Sequence, residues 1–351
     1  MTPLVYALYS GALYGTERMA ITTVRGLAQR DFAPTLLAPP GPVHEAAREA
    51  GVASRVVASL AAWPGAVAAV LAAGRRDVPL VFVATRIEHS VALVLANTLQ
   101  RRRIVHRMVI HGGGGKNVYR RNQLLLPLAM SFIANAPFVR DELVANGVPR
   151  ARIDVAENFL ADADVALLPR RPPFTADGVR RVALVTRLAA PKRVDLLFDA
   201  LDAEPQLGAL AFDVFGDGEE RMALERRAAR HPNVRLHGFV PDAAARLHAH
   251  DLLLHTAPAE PFGLVVVEAM ASGVPVLVAD AGGPADIVAG GAGLTYRAGD
   301  ASGLAAQLRA LAATPAAALT ALAAAGLAAQ QHRFGEAAGL DRYEGLLRTQ
   351  I

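Results

Sequence analysis

Glu260 and Glu268 stand eight positions apart in the segment EPFGLVVVEAMASG (260–273), with Gly263 between them. An apolar run, Leu252–His255, leads into a loop over 256–263, and helical patterning starts near Leu264. Gly263 has no Cβ and lets the backbone come close to a ligand. The first turn of such a helix has free N–H groups and a positive dipole end, which suits phosphate. Glu268 falls a little over one turn in, where a carboxylate accepts hydrogen bonds from sugar hydroxyls. Glu260 precedes the turn and is placed to face the same cavity. Two carboxylates flanking a phosphate-friendly turn suggest a nucleotide-sugar. The same residues also fit a capped core helix with Glu268 solvated.

The elements around this segment repeat one theme. Leu4–Leu8, Thr35–Ala38, Leu80–Ala84, Arg107–Ile110 and Ser131–Ala134 read as strands, with Met19–Arg30 and Val91–Arg102 helical between them. Pro169-Arg170-Arg171-Pro172-Pro173 is a rigid break. The alternation then restarts with Arg181–Thr186, Phe212–Phe215, Val234–His237, Leu252–His255 and Pro275–Ala279. Apolar strands separated by helices imply parallel sheets covered on both faces. The expected fold class is α/β, with two Rossmann-like doubly wound domains, 1–168 and 174–334, facing across a cleft. An alanine-rich helical tail starts near Ala301, and its last part, 335–351, is expected to pack back on the first domain. Ligands of open α/β sheets sit beyond the carboxyl ends of strands, so the loops after the strands carry the chemistry.

Those loops resemble the motifs of the retaining glycosyltransferases of family 4, which have the GT-B fold. Glu260 to Glu268 resembles the family's E-x7-E signature. Thr186-Arg187-Leu188 with Lys192 is similar to its strand-end Arg and Lys. Phe215-Gly216-Asp217-Gly218 is similar to its G-x-G turn, and His237-Gly238-Phe239-Val240 to the segment that frames the base. Gly282-Gly283-Pro284 with Asp286 resembles the G-G-x-x-E loop, and Glu157-Asn158 the Asn near the end of the first domain. The order and spacing cover roughly Ser10 to Gly293. The resemblance implies that Glu268 binds the ribose and that Glu260 lies near the donor sugar. It implies donor contacts from Gly216, Phe239, Val240 and the backbone of Phe262, Gly263 and Leu264. Arg187 and Lys192, five apart after a strand, are expected to point into the cleft and neutralise a diphosphate leaving group without a metal.

In the first half, Gly11-Ala12-Leu13-Tyr14-Gly15-Thr16-Glu17-Arg18 resembles the family's N-terminal glycine loop with its G-x-E-R. Gly15 then allows backbone approach to donor phosphates or acceptor. Glu17 is read either as an acceptor-site residue or as a first-turn carboxylate favoured by the helix dipole. His111 ends a strand before Gly112-Gly113-Gly114-Gly115-Lys116. Family members often have a His there, near the donor sugar, which marks His111 as a catalytic candidate and Lys116 as an acceptor contact. His89 is the competing histidine. Two patterns are set aside: His248, His250, Asp251 and His255 as a metal set, and Asp162-Ala163-Asp164 as a metal-binding D-x-D, read instead as a solvated acidic loop.

Composition agrees with an enzyme of this size. The 351 residues fill about two domains at ~100–200 residues each. Hydrophobic residues make up 53% and charged residues 19%, which excludes a disordered chain or a coiled coil. Absence of cysteine removes disulfides, thiolate metal sites and cysteine nucleophiles. A net charge of +4 is too mild for a nucleic-acid coat. Val56 to Ala73 is apolar but broken by Pro64-Gly65, and reads as a buried helix pair rather than a span.

The expected activity is retaining transfer of a hexosyl-type sugar from a nucleoside-diphosphate sugar to a glycan, lipid-linked or small-molecule hydroxyl, with no cofactor and no metal. The expected location is the cytoplasm, and the basic pI of 9.7 is compatible with an encounter with an anionic membrane. A nucleotide-sugar epimerase and a silent nucleotide-sugar-binding subunit are the alternatives. A dinucleotide oxidoreductase would need a G-x-G-x-x-G that the Gly11–Gly15 spacing does not supply.

Overall fold

The computed structural model describes residues 1–74, 76–112 and 116–348, with only the backbone at 116–118. The chain divides into two compact units, Met1–Asn158 with Ala337–Ile351, and Phe159–Glu336.

The first unit holds strands β1 (Thr2–Ala7), β2 (Phe32–Ala38), β3 (Ala53–Val56), β4 (Leu80–Ala84), β5 (Ile104–Ile110), β6 (Ser131–Ala134) and β7 (Ile153–Val155). Helices α1 (Gly15–Ala28), α2 (Val43–Glu49), α3 (Trp63–Ala73), α4 (Ile87–Gln100), α5 (Lys116–Arg121) and α6 (Pro137–Ala145) connect them. The strands form one sheet in the order β3-β2-β1-β4-β5-β6-β7. Val5 sits opposite both Thr35 and Phe82, in parallel register on each side. The strand order reverses between β1 and β4, which is where ligands bind in such sheets.

The second unit opens with α7 (Asp162–Ala166) and builds a sheet from β8 (Arg181–Val185), β9 (Ala211–Phe215), β10 (Val234–Gly238), β11 (Leu252–His255), β12 (Val276–Ala279) and β13 (Leu294–Tyr296). Its helices are α8 (Asp195–Ala203), α9 (Arg221–Ala228), α10 (Leu264–Ala271), α11 (Gly283–Val288), α12 (Ala301–Ala312) and α13 (Ala316–Arg333); α14 (Glu336–Arg348) ends the chain. The order is β10-β9-β8-β11-β12-β13, with all pairings parallel, and it reverses between β8 and β11. The loops carrying Lys192 and Glu260 leave those two strands. The core of this unit is a contiguous apolar cluster that includes Leu184, Phe198, Phe212, Leu254 and Leu308.

Three expectations change. The first unit's main stretch ends at Asn158 rather than 168, because Phe159 is fully buried and the Leu160 N–H donates to the Phe334 carbonyl at 2.9 Å. Asp162 and Asp164 are exposed, but in the first turn of α7 rather than in a loop. Val56–Ala73 is no buried helix pair. It is the end of β3, a short 3-10 turn and one half-buried helix, α3, with Pro64 in its first turn, where a missing N–H costs nothing. Among the described residues no single helix is long and apolar enough to cross a membrane; α12 and α13 pass by length and composition only as a pair bent by 115°.

The tail helix belongs to the first unit. A Cβ on Gly26 would stand 2.3 Å from Leu340, so α1 and α14 touch where the glycine leaves room. Arg107, 2% exposed in β5, donates to Ser131, to Asp154 at 3.2 Å and to the Leu346 carbonyl of α14.

Candidate active site

The second unit's site is built at the β8/β11 reversal. Lys192 lies in a tight turn closed by its N–H to the Ala189 carbonyl at 2.8 Å, and Arg193 behind it takes a left-handed conformation. The Lys192 carbonyl accepts from the Thr256 hydroxyl at 2.7 Å, which ties the loop after β8 to the loop after β11. Its ammonium contacts the Glu260 carboxylate, and both side chains are about three-quarters buried or more. The ring of His255, the last residue of β11, stands 3.9 Å from the same carboxylate oxygen. Burial pushes the His255 pKa down to about 4, and Lys192 adds to this while Glu260 opposes it, so the ring is neutral at pH 7.

The glycines here are steric requirements. Gly263 caps α10 with φ of 95°, the left-handed region that favours glycine. Gly283 donates to the Glu260 carbonyl at 2.8 Å, and a Cβ on it would stand 2.3 Å from the Pro261 carbonyl oxygen. The Gly282-Gly283 loop therefore buttresses the Glu260 loop from below. Leu264 begins α10, Glu268 is half-buried one turn on, and Phe262 turns its ring into the core against Phe334 at 5.9 Å. From Phe262 and Gly263 only backbone is offered to a ligand.

A second pocket of about 370 Å³ opens beside the G-x-G turn, lined by Thr186, Arg187, Gly216, Asp217, Phe239 and Val240 among others. Gly216 fits because a Cβ would stand 1.8 Å from the Thr186 carbonyl oxygen. Phe239 is 76% exposed, a free aromatic face at the rim. Phe215 stacks on His237 at 4.6 Å, and Asp213 accepts from His237 at 2.6 Å, His250 at 3.1 Å and Arg181 at 3.2 Å. These three partners hold the Asp213 carboxyl below its usual range even though burial pushes it up.

The expected convergence of Arg187 and Lys192 is not seen. Arg187 pairs with Glu219 at 3.1 Å in solvent, while Lys192 is held by Glu260. His250 bonds to Asp213 at 3.1 Å while His255 stands 3.9 Å from Glu260, so the two rings face different carboxylates. Among the described residues no group of three His, Cys, Asp or Glu side chains is arranged to hold a metal.

In the first unit a pocket of about 300 Å³ sits at the β1/β4 reversal, lined by Tyr9, Thr16, Arg86, Glu88, His111 and Arg121 among others. His111 has its Nε2 buried with no hydrogen-bond partner among the described residues, and burial lowers its pKa to about 4. Gly15 is the exposed first residue of α1, beside Thr16. Glu17 is fully buried and accepts from the Tyr14 N–H at 3.2 Å, the role of a helix cap. His89 is a core residue whose ring meets Trp63 at 4.1 Å, tilted by 34°. Gly113–Gly115 and the Lys116 side chain lie outside the described residues. The individual motifs gave no notice of Tyr9, Arg86, Glu88 and Arg121, which three separate segments bring together.

Comparison with known proteins places both units. Residues 14–163 match the pattern described as Glycosyltransferase Family 4, and residues 179–314 the one described as Glycosyl transferases group 1. A GDP-mannose-dependent alpha-mannosyltransferase of Mycobacterium tuberculosis is 34% identical over 168 residues, covering 46% of this chain and 42% of the relative. Glycogen synthase of the same organism is 30% identical over 224 residues, covering 61% and 53%. The chain thus spans about half the length of these curated relatives. A crystal structure of Anabaena HepE in complex with UDP and glucose superposes with a TM-score of 0.77 at 20% identity, covering 99% of both chains. That likeness establishes the GT-B fold class.

Proposed function

Because the chain belongs to glycosyltransferase family 4, we propose that it moves a hexosyl group from a nucleoside-diphosphate sugar to an acceptor hydroxyl, with retention at the anomeric carbon. The observation that carries this reading is the Lys192–Glu260 contact beside the Gly263 turn, at the strand-order reversal of the second unit. The named activities of the relatives, a mannosyltransferase and a glycogen synthase, favour a hexose.

The donor binds on the second unit. Its base lies against Phe239 and Val240, and its ribose hydroxyls donate to Glu268. Its diphosphate meets the N–H groups of Gly263 and Leu264 at the positive end of α10. Arg187 leaves Glu219 for the diphosphate, since a solvent-exposed ion pair is held only weakly. Donor binding places Lys192 on the leaving phosphate, with Glu260 fixing its ammonium. The bond from the anomeric carbon to the diphosphate breaks and the acceptor oxygen bonds on the same face. The acceptor proton passes to the departing phosphate oxygen, and the nucleoside diphosphate leaves. Cations and the helix end stabilise its charge, so the reading asks for no metal. The acceptor binds on the first unit at the pocket containing Tyr9, Arg86 and His111.

The test is incubation with UDP-, GDP- and ADP-hexoses and a mixed acceptor panel, following nucleotide release and the anomeric proton by NMR. Axial donor giving axial product supports the reading. Donor consumed without acceptor indicates the epimerase, and donor bound but never consumed indicates the silent subunit.

A further inference from the structure

Helices α3 and α4 pack side by side on the first unit, joined where Gln100 donates to the Ala68 carbonyl at 2.8 Å. Their outward faces carry almost no polarity. On α4, Val91, Leu95 and Leu99 recur every fourth residue with Val94 beside them, and residues at that spacing share one face of a helix. All four are exposed, Leu99 to 92%. The opposite face, with His89, Ala92, Leu93 and Ala96, is the one that packs inward. On α3 the exposed positions are Gly65, Ala69, Ala72 and Ala73, and that helix has no charged side chain along its length. A helix that is apolar on its outer as well as its inner face has an unfilled partner.

The charges lie at one end. Arg76, Arg101 and Arg103 are exposed at the carboxyl ends of the two helices. Arg102 between them is buried, tying the ends together by bonds to the Leu71 carbonyl and, at 3.4 Å, to the Val78 carbonyl. Between residues 60 and 103 the acids are Asp77, beside Arg76, and Glu88, at the far end of α4 near Arg86 and Arg121. The stripe is aliphatic apart from Thr98, whose hydroxyl donates to the Leu95 carbonyl within the helix at 2.7 Å. It lacks the aromatic anchors and spaced hydrogen-bonding groups that concentrate energy in protein interfaces. Aliphatic side chains with arginines at one edge match an anionic bilayer, where the apolar face enters the acyl boundary and guanidinium groups meet phosphates.

We propose that the outer face of α3 and α4 is a docking surface for an anionic phospholipid membrane. The surface stands apart from the assigned transferase chemistry, and its test needs no donor or acceptor.

The test is co-sedimentation of the full chain with vesicles of phosphatidylcholine alone and of phosphatidylcholine with an equal share of phosphatidylglycerol, at low and high salt. The expected result is binding to the anionic vesicles that weakens with salt. Leu95→Ser with Leu99→Ser, at exposed positions, should weaken that binding about tenfold or more. Arg76→Glu with Arg103→Glu should remove the preference for anionic lipid. Circular dichroism of each variant checks that the fold is kept. No binding by the wild-type chain overturns the proposal, as does equal binding by the leucine variant. A dimer that the leucine variant dissolves, without vesicle binding, would also overturn it and would make a second copy of the chain the occupant.

Discussion

The Lys192 ammonium contacts the Glu260 carboxylate, and the two residues come from the loops after neighbouring strands β8 and β11. The contact joins the pair of strands between which the sheet order reverses. A cation so held is oriented before any substrate arrives, which is how a fixed charge stabilises a leaving group without reorganising.

Replacing Lys192 removes that charge. Lys192→Ala should lower turnover about a hundredfold at saturating donor, the order seen when one transition-state contact is lost. Glu268→Ala should lose a similar factor through the ribose. Initial rates at saturating donor decide this, and near-normal rates in both variants would sink the assignment of the site.

Two glycines with positive φ, 140° at Gly216 and 76° at Gly290, differ in what a Cβ would meet. Gly216→Ala would drive a Cβ to 1.8 Å from the Thr186 carbonyl oxygen, whereas Gly290→Ala meets nothing within 4 Å. Gly290→Ala should cost about 1 kcal/mol, the price of a left-handed alanine. Gly216→Ala should cost clearly more, by about 2 kcal/mol or above, because the backbone must move. Urea unfolding of the two variants measures the difference, and equal losses would contradict the close approach.

Burial lowers the pKa of His106 to about 4 and, with Arg86 adding to the effect, that of His89 to about 3. Both are neutral when folded and take up protons on unfolding below about pH 6.5. The stability this represents is complete above pH 6.5 and is lost as pH falls toward 4. Each histidine contributes at most about 1.4 kcal/mol per pH unit across that window. Trp63 is the single tryptophan and packs against His89, so its fluorescence follows unfolding of the first unit. Stability read this way should fall from pH 6.5 to 4.5, and His106→Gln should make the slope shallower. A flat profile would contradict the buried neutral rings.

Arg107 holds α14 through the Leu346 carbonyl while buried in β5. Arg107→Ala removes these donors and leaves a cavity, and should destabilise the first unit by about 2–4 kcal/mol. It should also expose α14 to trypsin. Unchanged urea stability and trypsin resistance would show that the helix is held by packing alone.

The central strands were legible because they are buried on both faces and read as unbroken apolar runs, as in Leu80–Ala84 and Leu252–His255. β3, β7 and β13 were not. Each is a short edge strand, reading ASRV, IDV and LTY, with no run to betray it. At the candidate site, Lys192 and Glu260 were found from motif spacing. That Arg187 would take Glu219 instead was not visible, because the pair comes from two loops 32 residues apart. Glu17 was read as cap or ligand contact, and its burial and the bond from the Tyr14 N–H give the geometry of a cap. In the first unit's pocket Thr16 and His111 lie in motifs read from the sequence, whereas Tyr9, Arg86, Glu88 and Arg121 escaped because they come from separate segments, each ordinary by itself.

The most direct test of the account is calorimetric titration of the chain with UDP, GDP and ADP, with and without magnesium, repeated on Glu268→Ala. One nucleotide should bind without metal, with affinity reduced in the variant. No binding of any nucleotide, or binding untouched by loss of Glu268, would contradict a donor site on the second unit.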